Sequence, residues 1–176
     1  TPERIFGPTY FQVVAENDGL TLERTLLCPE GEVPWLLVRV RLTLAETAPA
    51  RQVNHREKWQ LRPRFLTLWQ KNDIRDAQAS TVKYSVEQQD GMLVAVEDFS
   101  EVQGAVGAEA RLLLETLGET QATMTQTDAQ HPPLFAQTEV ALRPGQTRTL
   151  WFRFGRDEGN APQDPEAFFE ASLEAL

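Results

Sequence analysis

The chain has 176 residues, and 26 acidic against 17 basic side chains leave a formal charge of −9. Nucleic acid is excluded as a partner, because neutralising a phosphate backbone takes clustered cations, whereas the Lys residues are Lys58, Lys71 and Lys83 and the Arg are spread from Arg4 to Arg156. With 41% hydrophobic and 24% charged residues, the composition is that of one folded domain that buries about two-thirds of its unfolded surface.

Period-two alternation begins at Tyr10 to Glu16 and resumes at Leu20 to Cys28, with Asn17-Asp18-Gly19 between them, which predicts a hairpin. Pro34 opens the next strand, where Leu36, Val38, Val40, Leu42 and Leu44 fall on one face and Arg39, Arg41 and Thr43 on the other, which reads as solvated, although an interface with a missing neighbour would use the same Arg39 and Arg41. After Pro49, the run Arg51 to Leu61 places Val53, His55, Glu57, Trp59 and Leu61 on a common face. Residues 62 to 79 lose periodicity and read as a long loop or an irregular crossing. Thr81 to Glu87 and Met92 to Glu97 form a second hairpin around Asp90-Gly91, and Val102 to Ala108 reads as another loop.

Arg111 to Leu117, Gln121 to Gln126, Leu134 to Leu142 and Thr147 to Phe154 complete about ten short strands, the pattern of a sandwich or barrel. Leu36, Val38, Val40, Leu150, Phe152 and Phe154 are expected to face its core. Asp164-Pro165 then starts a helix with an N-cap and a proline at the first helical position, and Phe168, Phe169, Leu173 and Leu176 recur at helical spacing. No stop signal follows, so the helix is expected to run on past Leu176 as part of a longer polypeptide. The domain division is therefore a β-sandwich over residues 1–156 and a linker with the start of a helix over residues 157–176.

Few residues carry chemistry. Cys28 is the lone cysteine, and with two distant histidines, His55 and His131, it completes neither a disulfide nor a four-ligand zinc site, so no cofactor or metal is expected. No basic-then-apolar leader is present and apolar runs such as Trp35 to Val38 are too short for a bilayer, so a cytoplasmic location without a membrane partner is expected. The one notable constellation is His55, Glu57 and Trp59, followed by Arg62, Arg64 and Trp69. Carboxylate, imidazole and guanidinium groups hydrogen-bond sugar hydroxyls and an indole stacks on a pyranose ring, so these six are the candidate carbohydrate-binding residues. An inward strand face, with His55 and Glu57 satisfying each other beside a core Trp59, is the competing structural expectation. Trp35 and Trp151 lie opposite the apolar faces of their strands and are expected on an outer surface, covered by another domain, a subunit or a glycan.

The order RIFGPTYFQVVAENDGLTLERTLLCPEGEVPWLLVRVRLTL, NHREKWQL, LRPGQTRTLWFRFG and DPEAFF resembles the N-terminal β-sandwich of cellobiose and chitobiose phosphorylases and related glycoside hydrolases. Gly7, Asp18, Gly19, Leu20 and Pro29 fit its opening block, Glu57 and Trp59 its central strand, and Leu142, Pro144, Gly145, Leu150, Phe152 and Gly155 its closing block. The resemblance implies an all-β, antiparallel two-sheet sandwich of the galactose mutarotase-like kind with a short C-terminal linker helix. It further implies an accessory domain without catalytic residues, packed on an (α/α)6 barrel of the same polypeptide and shaping a substrate entrance or a homodimer contact. A freestanding carbohydrate-binding module taking an oligosaccharide, and a small mutarotase-like enzyme using His55 and Glu57 as acid and base, are the alternatives.

Overall fold

Each turn signal becomes a hairpin because it supplies the backbone angles that the strand twist requires. In the computed structural model, which describes residues 2–29, 31, 33–60, 83–98, 109–126 and 133–174, Asp18 and Gly19 have φ of 49° and 72°. Two positive values in succession define the two-residue hairpin turn whose twist matches the flanking strands. It joins β2 (Tyr10–Asn17) to β3 (Leu20–Leu27) in antiparallel register, Asn17 opposite Leu20 and Tyr10 opposite Leu27.

The remaining strands are β1 (Glu3–Phe6), β4 (Trp35–Leu44), β5 (Arg51–Gln60), β6 (Lys83–Gln89), β7 (Met92–Asp98), β8 (Glu109–Leu117), β9 (Thr123–Gln126), β10 (Pro133–Leu142) and β11 (Thr147–Arg156). Among the described residues, one sheet has eight strands in the order β1-β2-β3-β4-β11-β8-β7-β6, and a second has three in the order β5-β10-β9. Every pairing is antiparallel, so the chain is the expected two-sheet, all-β sandwich. β1 was not among the expected strands. The loops expected over residues 62–79 and 102–108 lie outside the described residues, as does any continuation of the helix past residue 174.

Alternation places the core between the sheets. Val38, Val40, Leu42 and Leu44 of β4 and Phe152 of β11 are fully buried against Leu134, Ala136 and Leu142 of β10. Of the residues expected to face inward, Val38, Val40, Leu150 and Phe152 are buried, Phe154 packs on the core edge, and Leu36 keeps the inward parity but is only half-buried.

The outer face of the large sheet is not solvated where Arg39 lies. Helix α1 (Pro165–Glu174) packs there, started by Asp164, whose Oδ1 accepts from the Ala167 N–H at 3.0 Å as a helix cap should. Phe168 and Phe169 point from α1 into a second apolar cluster with Leu27, Trp35, Leu37, Leu117 and Trp151. This corrects the expectation for the two tryptophans: both are 6% exposed, and their cover is the chain's own helix. The Trp35 ring lies 5.8 Å from Phe168, and Trp151 meets Phe169 edge-on at 5.5 Å. Arg39 is corrected with them. Its guanidinium carbon sits 3.9 Å over the Phe169 ring and Nη1 donates to Glu170 at 3.1 Å, so α1 holds it rather than water. Arg41, further from the helix, is 43% exposed at its side chain and pairs with Glu23.

Candidate functional site

Strand β5 carries the residues singled out by their chemistry, and its pairing with β10 fixes their direction. His55 stands opposite Thr138, Glu57 opposite Ala136 and Trp59 opposite Leu134, all on the face turned towards the large sheet. Glu57 is 1% exposed and His55 8%.

Glu57 is met by Arg24 of β3, across the interior from the other sheet. Arg24 Nη2 donates to Oε1 at 2.5 Å and Nε donates to Oε2 at 3.1 Å, so both carboxylate oxygens are held in a bidentate fork. His55 Nε2 lies 3.5 Å from Oε2, an ion-pair distance if the imidazole is protonated. Burial pushes the Glu57 carboxyl up, but the adjacent imidazole and the Arg24 guanidinium more than offset it and hold the group below the usual carboxylate range. Trp59 stacks on Phe154 of β11 with ring centroids 4.0 Å apart and planes at 11°, and the Arg24 guanidinium carbon lies 5.4 Å from the Trp59 ring. Among the described residues, Trp59 Nε1 and Thr138 Oγ1 are buried without a hydrogen-bond partner, and His55 Nε2 has Glu57 Oε2 beside it at the long distance given above.

This geometry suits a fixed ion pair better than an acid catalyst. A general acid must keep its proton near neutral pH, which takes a raised carboxyl pKa, and Glu57 is shifted the other way. The stacked face of Trp59 is occupied by Phe154, which leaves that side of the indole closed to a sugar ring. Of the six candidate residues, the fold brings His55, Glu57 and Trp59 together inside the sandwich, while Arg62, Arg64 and Trp69 lie outside the described residues. Sequence reasoning missed Arg24. Its signal was present: Arg24 interrupts Leu20, Leu22 and Leu26 on the inward face of β3, just as Glu57 interrupts Val53 and Trp59 on β5. Two lone charges of opposite sign on two apolar stripes call for each other.

Among the described residues, no group of three or more His, Cys, Asp or Glu side chains is arranged to hold a metal ion, and no helix is long and apolar enough to cross a membrane.

No protein-family model matches the chain. A comparison with curated proteins finds no match. Solved structures do match. A protein from the human microbiome assigned as a kojibiose phosphorylase is similar over 95% of this chain and 20% of its own, with a TM-score of 0.52 and 8% identity. Heparan sulfate lyase HepC from Pedobacter heparinus matches over 92% of this chain and 22% of its own, with a TM-score of 0.47 and 12% identity. A mutant of that lyase gives 0.49 and 11% over the same shares. The chain thus spans about a fifth of the length of the structures it matches. At these identities the likeness is one of fold, and the antiparallel two-sheet sandwich expected from the sequence is the fold found.

Proposed function

We propose that the chain is a non-catalytic domain of a carbohydrate-active enzyme, a glycoside phosphorylase or hydrolase, and that it packs on a helical catalytic domain of the same polypeptide. The observation that carries this is the unequal coverage: nearly all of this chain superposes on a fifth of a kojibiose phosphorylase. The buried Arg24–Glu57 pair supports it, since the strongest carboxylate candidate is spent on joining two sheets. An exposed free thiol at Cys28 fits a reducing, cytoplasmic setting. The reaction needs no cofactor from this domain, and the domain's further contacts are a sugar near the substrate entrance or a second subunit.

The test is an assay of sugar release from gluco-oligosaccharides, with and without inorganic phosphate. The 176-residue chain alone is expected to release nothing, while a longer polypeptide that contains it is active. Turnover by the chain alone, or acceleration of anomer exchange abolished by Glu57→Gln, would overturn the assignment in favour of an enzyme in its own right. A freestanding carbohydrate-binding module places sugar contacts on Arg62, Arg64 and Trp69. Calorimetric binding of an oligosaccharide to the chain alone, weakened by Trp69→Ala, would favour it.

A further inference from the structure

Two strands outrun their neighbours on the same side of the molecule. β11 pairs with β4 from Thr147 to Gly155, but with β8 only from Trp151 to Arg156. β10 pairs with β5 along its whole length, but with β9 only from Leu134 to Gln137. The cause is the crossing from β8 to β9 at Gly118–Ala122, which leaves the large sheet and enters the small one half a strand early on both sides. The half-strands left over, Thr138–Ala141 and Arg148–Leu150, line with Trp151 a single groove of about 640 Å³, closed by Gly118–Gln121 at one place and by Gln163–Glu166 before and at the start of α1 at another.

Backbone parity shows what the groove offers. Even-numbered residues at the two ends of β11 bond towards β4: Gln146 C=O accepts from Leu44 N–H, and Arg156 N–H donates to Pro34 C=O, both at 3.0 Å. Odd-numbered ones turn the other way, as Asp157 N–H does to Arg111 C=O. Trp151, the first residue of β11 in register with β8, donates its N–H to Thr120 Oγ1 at 2.8 Å, in the crossing just after β8 ends. Thr149 is next, and its N–H and C=O point where β8 has already ended. An open edge of this kind is a template for an added strand. Thr138, 6% exposed and lining the groove, has a buried hydroxyl with no partner among the described residues.

The charge of the groove selects the strand. Glu119, Glu139, Asp164 and Glu166 line it against Arg148 alone, on a chain of net charge −9. A second copy of so acidic a chain is disfavoured, and a Lys- or Arg-bearing segment is favoured.

We propose that this groove receives an extended, basic segment of the adjoining domain, which adds as a strand to the free edge of β11 with its cationic side chains on Glu119 and Glu139. The site rests on the assignment above of the chain as one domain of a longer polypeptide. It differs from a sugar subsite in using backbone pairing as its main contact.

The probe is a fluorescein-labelled peptide of four Lys-Val repeats, titrated into the 176-residue chain and into the longer polypeptide. The chain alone is expected to bind it, more weakly as salt rises through 0.1 M, where the screening length is about 10 Å. Thr149→Pro removes the N–H that points past the end of β8, at an edge position that tolerates proline, and should weaken binding about tenfold, as should the pair Glu119→Lys and Glu139→Lys, which leaves the backbone untouched. The longer polypeptide should not bind the probe, because its own segment fills the groove. Failure of the chain to bind, or binding indifferent to both variants, would overturn the site itself. Equal binding by the longer polypeptide would overturn the occupant. Maltohexaose displacing the probe from the chain would overturn the peptide chemistry in favour of a sugar. None of these outcomes bears on the sugar-release assay, which decides the enzyme assignment separately.

Discussion

Glu57 sits where alternation alone would place a Val or Leu, and its cost is met only because Arg24 arrives from the opposite sheet. Replacing Glu57 with Ala strands a guanidinium whose side chain is 25% exposed, so part of its charge is solvated and the expected loss is about 1–3 kcal/mol, read from urea midpoints. Removing both charges should cost less than removing one. The double change Arg24→Leu with Glu57→Leu is expected to be more stable than Glu57→Ala, since a buried pair is often replaceable by apolar side chains whereas a broken one is not. The pH dependence has a definite sign. The folded Glu57 carboxyl is held below its ordinary value of 4.5, so the folded state favours the ionised form. Its contribution is full well above pH 4.5 and is lost as pH falls through the lowered folded value. The stability gap between the wild type and Glu57→Gln should therefore be widest well above pH 4.5 and close as pH falls below it, and a gap that widened on acidification would contradict the assignment.

Helix α1 decides whether the outer face of the large sheet is wet. Phe169 is fully buried under it, and Phe169→Ala should cost about 3–5 kcal/mol and shift the tryptophan emission to the red as Trp151 and Trp35 gain water. Unchanged emission would mean that the helix is not what covers them. Gly155, in β11, answers to a different constraint. A Cβ there would lie 2.4 Å from Trp35 Cα and 2.5 Å from Pro34 O, both backbone atoms that cannot step aside. Gly155→Ala is therefore expected to destabilise by about 2 kcal/mol or more, checked by the thermal midpoint. The closing Gly of the sequence motif is thus a packing requirement between β11 and the start of β4. These elements also show what was legible. Ten of the strands announced themselves by alternation and turn residues. β1 did not, because its four residues Glu3–Phe6 form an edge with Phe6 75% exposed and no buried stripe to set a period. The helix was readable from Asp164-Pro165, yet its docking place was not. Only the pairing of β4 with β11 brings Trp35, Leu37 and Trp151 into one patch for Phe168 and Phe169 to cover.

The order of strands is a property of the whole molecule, and that is where sequence reading runs out. Alternation says which residues turn inward, so His55, Glu57 and Trp59 could be grouped, but it does not say what they face. The partner that matters, Arg24, is 33 residues away in another sheet. Across the interior, the Arg24–Glu57 fork and the Trp59–Phe154 stack tie the small sheet to the large one at two points. The sandwich is accordingly expected to unfold as one unit. Tryptophan fluorescence, which reports Trp35 and Trp151 on the outer face as well as Trp59 inside, and far-ultraviolet circular dichroism should give coincident urea transitions. In Glu57→Ala the two should begin to separate as the small sheet loosens first.

The pairing of β11 with β4 has a consequence for how the polypeptide is made. Thr43 and Thr147, which share a hydroxyl contact at 3.0 Å, are 104 residues apart in sequence, and β4 is buried on both faces only after β11 and α1 are in place. At a synthesis rate of roughly 5–20 residues per second, a growing chain presents the apolar stripe of β4, with only β3 beside it, for on the order of 5–20 s before its other neighbour leaves the ribosome. The strand that ends up most protected is thus the one that waits longest unprotected, and chaperone capture of nascent chains should peak while β5 to β10 are being translated and fall once Arg156 has emerged.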